Sequence, residues 1–199
     1  MIMTRENRLV EKKDLISPKE YALKRKEIRQ KLLNYKKQRR VPIGPYATFY
    51  FESFETMLGQ IQEMIHIEKG GEKQLNDELN AYNPLIPKGD ELVATLMFEI
   101  DDPILRTDFL SKVGGIEKKV LIQLDNEKIK AIPENDVDRT SAEGKASSVQ
   151  FIHFNFSNEQ IKKFKHPDTK ISLSIDHSLY NHVTEISKET KNALAKDFI

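Results

Sequence analysis

The sequence predicts an α+β fold: a largely antiparallel or mixed sheet of about five to six strands, packed helices, and a long basic N-terminal helix. Three observations carry this. Two apolar runs, "LVATLMFEI" and "SVQFIHFNF", are too short for buried helices and read as interior strands. "KISLSI" alternates as a strand buried on one face. Between such runs lie segments opened by helix-capping residues rather than a regular strand–helix alternation.

Taken in order, Ser17-Pro18-Lys19-Glu20 supplies an N-cap, a proline at the first helical position and a glutamate at the third, a capping box. With no breaker before Pro42, a helix is expected over 18–39. Its apolar stripe, Tyr21, Ile28, Leu32 and Tyr35, continues into Arg39 and is narrow, so the helix should lie across a surface. "ATFYFES" reads as a strand, and Ser53 caps a helix over 54–68 with Met57, Leu58, Ile61, Met64 and Ile65 at core spacing. A short helix around 73–81 follows Gly70-Gly71, and "YNPLIPKGD" is an extended loop. Asp102-Pro103 opens a helix to about Lys112, and "KVLIQL" and "KIKAI" flank a hairpin turn at Asp125-Asn126-Glu127. Ser157 and Gln160 form a capping box, and a last short helix starts at Ser187. The 199 residues fit a single domain, with 1–40 a basic helical segment and 41–199 the α+β core.

Composition excludes several chemistries. The chain has no cysteine, so it offers no disulfide, thiolate metal ligand, iron–sulfur ligand or thiol nucleophile. No apolar run reaches membrane-spanning length and the first residues hold no apolar signal core, so a cytoplasmic protein is expected. The net charge of +1 conceals a division: residues 1–40 hold 14 Lys/Arg against 5 Asp/Glu, and the rest hold 18 against 26. A basic segment of +9 thus faces a remainder of −8.

Four groups of residues are candidates for function. Lys36, Lys37, Arg39 and Arg40 precede the Pro42-Ile43-Gly44-Pro45 turn and are expected to end an exposed helix, where the helix dipole favours cations. Because the remainder is acidic, these cations should meet carboxylates of a partner or of the same fold before phosphate. Glu63 and His66 share a helix face at the spacing used by di-iron bundles, and Asp176, His177 and His182 follow a strand. Together these five residues form a candidate metal or catalytic site, provided they converge. Arg139 and Lys145 lie in a polar loop that could contact an anion. Gly144-Lys145 is not a phosphate-binding loop, since Arg139 stands where its first glycine belongs and Ala146 replaces the magnesium-binding hydroxyl. His153 reads as a packed sheet histidine.

"KKQRRVPIGP", "QIQEMIHIE", "ELNAYNPLIPKG", "KASSVQFIHF" and "IDHSLYNH" together resemble bacterial domain of unknown function family 3501 over nearly the whole chain. Its members are often encoded near rubrerythrin-like proteins and iron–sulfur proteins similar to a heterodisulfide-reductase subunit. The resemblance thus implies an association with redox or peroxide-stress metabolism; it supplies no catalytic residues. The expectation is a cytoplasmic accessory protein, leaning away from enzymes, with no cofactor of its own. It binds a protein partner, a redox or iron–sulfur protein by the resemblance, or a second copy of itself. A metal-binding protein or enzyme is the alternative, and nucleic-acid binding through the basic helix ranks last.

Overall fold

A computed structural model describes residues 8–134, 141 and 144–199. Nine strands and six α-helices of these residues form an α+β fold, and the strands divide between two wholly antiparallel sheets instead of one. The first sheet has the order β1-β2-β3-β7-β6, with β1 Arg40–Ile43, β2 Ala47–Phe51, β3 Glu91–Phe98, β7 Val149–Asn155 and β6 Ile132–Pro133. The second runs β5-β4-β8-β9, with β5 Glu127–Lys130, β4 Val120–Leu124, β8 Ile171–His177 and β9 Tyr180–Glu185.

The alternation of each strand decides which sheet face is covered. Phe49 opposes Leu96, Ala94 opposes Ile152 and Leu92 opposes Phe154, which places all six on one face. That face packs with Val120, Ile122, Leu173 and Ile175 from the second sheet to form the main core. β8 shows the expected one-sided burial. The strand buried on both faces is β3; β7 alternates, because its helix-side positions 149, 151 and 153 are only half-buried.

The helix-side face of the first sheet meets α2 (Phe54–Glu68), followed by α3 (Gly71–Tyr82). Val93 joins Met57, Ile61, Leu85, Ile86 and Val10 in a smaller core there. The remaining helices are α4 (Pro103–Lys112), α5 (Asn158–Lys165) and α6 (Lys188–Leu194), each with its expected side-chain cap at Asp102, Ser157 or Ser187.

α1 (Pro18–Lys37) packs on α2 through the narrow stripe. Leu32 seats on Gly59, where a Cβ would come within 2.5 Å of the leucine methyl, so any larger residue would push α1 away. The helix stops two residues short of the expected end. Arg39 lies in the connecting turn and Arg40 opens β1. The β1–β2 hairpin turns at Gly44, whose φ of +64° favours glycine. It is latched by Tyr180, whose hydroxyl donates to the Ile43 carbonyl at 2.7 Å and accepts from the Tyr46 and Ala47 amides, each at 3.0 Å.

Candidate functional site

The basic segment does not form one exposed patch. Arg39 is 2% exposed. Its guanidinium donates to the Phe51 carbonyl at 2.9 Å and the Glu52 carbonyl at 2.8 Å, and pairs with the buried Asp197 carboxylate. Burial pushes Asp197 up to about 6 against the pull of Arg39. Burial also opposes the Arg39 charge, but Asp197 more than offsets it and leaves Arg39 above its ordinary value. The pair is therefore charged at neutral pH, and Asp197 is the member that takes a proton first on acidification. The expectation of Arg39 as a partner-binding residue is corrected: it is an internal clasp between the end of α1 and the C-terminus. The signal was in the sequence, since Arg39 continues the inward stripe of Tyr21, Ile28, Leu32 and Tyr35. Arg40 lies at the surface beside Glu99, at 3.3 Å, and over the Tyr50 ring. Lys36 is half-buried and Lys37 exposed.

The five metal or catalytic candidates do not converge. Glu63 faces α1, where it accepts from the Tyr21 hydroxyl at 2.6 Å and pairs with Arg25. Arg25, aided by the Tyr21 hydroxyl and Arg29, draws its carboxyl down to about 2 despite the opposing effect of burial. His66 meets the Tyr21 ring edge-on at 5.4 Å between centroids. The Glu-x-x-His spacing is thus the seat of α1 on α2. Asp176, His177 and His182 belong to a hairpin, since β9 follows β8 directly. Asp176 accepts from the Asn181 side chain at 3.3 Å, His177 Nδ1 accepts from the Leu179 amide at 3.2 Å, and His182 stacks edge-on against Tyr180 above Gly44. Successive strand residues point to opposite faces, which separates Asp176 from His177. Among the described residues no group of three or more His, Asp or Glu side chains is placed to hold a metal ion.

Of the anion-loop pair, Arg139 lies outside the described residues. Lys145 is exposed, and its amide donates to Ser141 Oγ at 3.3 Å. His153 is a half-buried sheet residue, as expected, but it bridges two carboxylates: Nδ1 lies 2.8 Å from Glu91 and Nε2 3.4 Å from Glu134. Burial opposes its charge, yet the two carboxylates outweigh it and hold its pKa above 6.5.

Two features were not singled out in the sequence. The first is the outward face of α1. Lys19, Leu23, Lys26, Gln30, Leu33 and Lys37 recur at alternating four- and three-residue steps and are all exposed, with Leu23 at 81% and Leu33 at 56%. Elsewhere on the helix Lys24 and Lys31 pair with Glu20 and Glu27, whereas Lys19, Lys26 and Lys37 have no ion-pair partner among the described residues. The second is a cleft of about 480 Å³ where the N-terminal segment, the end of α1, the start of α2 and the C-terminus meet. Long-range placement alone creates it, so no local motif announces it.

A family model described as "Protein of unknown function (DUF3501)" matches residues 9–198. The chain belongs to this family. A crystal structure from Burkholderia pseudomallei K96243, described as a novel protein of unknown function, is similar to it: 32% identical, with all of both chains covered and a TM-score of 0.87. No curated protein matches. Family membership therefore supplies the fold and leaves function to the geometry. No helix of the described residues is long and apolar enough to cross a membrane.

Proposed function

We propose that this protein is an accessory protein that docks an acidic segment of another protein on the outward face of α1. The observation that carries the reading is the α1 stripe, in which two exposed leucines are bracketed by lysines without ion-pair partners among the described residues. The alternating step is that of a helix–helix seam. An amphipathic helix with apolar residues on its seam and carboxylates beside them answers both features. Phosphate answers only the lysines, which ranks nucleic acid lower. The chain has no cysteine, so it would assist a redox partner rather than hold an iron–sulfur cluster through thiolates.

The test is a photo-crosslinking amino acid placed at position 23 or 33 in the native cell, with adducts mapped to peptides. The expected adduct joins α1 to an acidic segment of a different protein and falls at least about tenfold with Lys26→Glu/Lys37→Glu. Adducts only between two copies of this chain, adducts indifferent to charge reversal, or adducts no stronger than those from an exposed position on α5 would overturn the reading. Nucleic-acid binding should be weak and vanish at physiological salt, as for any basic surface. Submicromolar binding under those conditions, abolished by the same charge reversal, would replace the protein reading.

A further inference from the structure

We infer that the gap beneath α1 is a binding site for a small uncharged molecule with an apolar body. A pocket of about 420 Å³ lies there, within the range of small-molecule sites. Its walls come from three segments: Ile16 of the N-terminal stretch, Tyr21, Ile28, Leu32 and Tyr35 of α1, and Leu58 of α2. The gap follows from how α1 is seated. Leu32 on Gly59 and the polar seat at Glu63 hold the helix at two points, and of its twenty residues only Tyr21 is buried. Ile28, Leu32 and Tyr35 are therefore half-buried and keep part of their inward surface uncovered.

The chemistry of the ligand follows from what the polar groups of the lining already hold. The buried Gln62 amide is used at both ends: Oε1 accepts from the Ile16 amide at 3.0 Å and Nε2 donates to the Ile16 carbonyl at 3.2 Å. The Tyr21 hydroxyl donates to Glu63 at 2.6 Å, and the Tyr35 hydroxyl lies 3.1 Å from the Glu55 carboxylate. Lys31 pairs with Glu27 at 2.6 Å. Asp14 accepts from the Glu11 amide and Glu55 from the Ser53 hydroxyl, both at 2.8 Å and each through one oxygen. Their second oxygens keep a share of the charge, but the surface that the pocket offers is almost wholly carbon. Neither these carboxylates nor Lys31 therefore forms its wall. A water there finds few of the two to four polar partners that would hold it, so an apolar ligand displaces it favourably. An apolar cavity of about 150 Å³ already takes benzene, so this larger one admits a substituted ring or two fused rings. The inward stripe of α1 lines the pocket, whereas the opposite face carries the proposed docking surface, so the site does not depend on that docking.

The probe is toluene, with benzylammonium and benzoate as its charged counterparts, titrated into the isotopically labelled full chain at neutral pH while backbone amide shifts are followed. Toluene should shift the amides of Ile16, Ile28, Leu58 and Gln62 with a Kd of about 0.1–1 mM, and each ion should bind at least about tenfold more weakly. Because only the seated helix completes the pocket, toluene should also slow hydrogen exchange in α1, by about twofold at a concentration equal to its Kd. Leu58→Trp, which fills the gap, should weaken toluene by at least about tenfold. Leu58 also packs against the smaller core, so the wild-type shifts and the charged counterparts carry the decision if that variant unfolds. Binding of either ion as tight as that of toluene, or shifts centred on the cleft beside the C-terminus or on the outward face of α1, would overturn the inference. So would no saturable response up to about 5 mM toluene, unchanged exchange in α1 at saturation, or undiminished affinity in a folded Leu58→Trp protein.

Discussion

The two faces of the five-stranded sheet are covered by different means. On one side the second sheet closes a core of thirty buried apolar residues among those described; on the helix side the corresponding cluster has six. The first side is held by interdigitated aromatic and β-branched side chains, which no single contact dominates. The second is a short apolar contact, and α1 is fastened beyond it by Leu32 on Gly59 and by the polar seat at Glu63. Cooperative packing makes a rigid platform, whereas a few point attachments make a layer that can be exchanged or remodelled. The docking proposed for α1 falls on the second kind of surface.

Substitutions should separate the two sides. Phe154→Ala, in the sheet–sheet core, should cost about 3–5 kcal/mol in denaturant unfolding. A loss below about 1 kcal/mol would mean the core is not packed as described. Next in size is the clasp. Asp197→Ala leaves Arg39 charged and buried without its partner, at a cost of about 3 kcal/mol or more. The double change Arg39→Met/Asp197→Leu should lose less than Asp197→Ala alone, because no isolated charge remains; a larger loss would contradict the pairing.

Glu63→Gln should have a smaller and local effect of about 1–2 kcal/mol, confined to the attachment of α1. The pH dependence has a defined sign. The Glu63 carboxyl drops from an ordinary 4.5 to about 2, so its contribution is complete above about 4.5 and is lost as pH falls towards about 2. In the Gln variant that part of the acid loss should disappear.

His153 gives the smallest effect and the opposite sign. Its pKa is raised above 6.5, so the stabilisation from Glu91 and Glu134 is full below about 6.5 and is lost as pH rises through the folded value. Thermal unfolding of the wild type and of His153→Gln should converge at alkaline pH and separate below neutrality. Curves that stay parallel would remove the histidine from the account.

The sequence announced the elements that local chemistry controls. The serine cap at Ser53, the capping box at Ser157 and the one-sided alternation of 171–175 are short-range signals, and each appears where expected. The box expected at Ser17 forms only in half: Ser17 Oγ accepts from the Glu20 amide, while the Glu20 carboxylate pairs with Lys24 instead of reaching back. What local reading missed is set by distant chain. β1 and β9 are short or polar, and become strands because β2 and β8 offer hydrogen-bonding edges. Recognition of β9 turns Asp176, His177 and His182 from a convergent cluster into hairpin positions. Charge alone groups Arg39 with its basic neighbours, although its helical phase places it inward. The cleft depends on bringing Arg8 beside Asp197, across most of the chain, which no spacing rule anticipates.

The most direct test of the two-sided account is native-state hydrogen exchange, resolved by residue, on the unliganded wild-type chain. Amides of α1 should exchange through a local opening of lower free energy than those of β3, β7, β4 and β8, which should open only with global unfolding. Glu63→Gln should speed exchange in α1 and leave the strand amides nearly unchanged. Equal protection of α1 and the sheets, or a Glu63→Gln effect spread evenly over both, would show that the helical layer is part of the rigid platform and contradict the account.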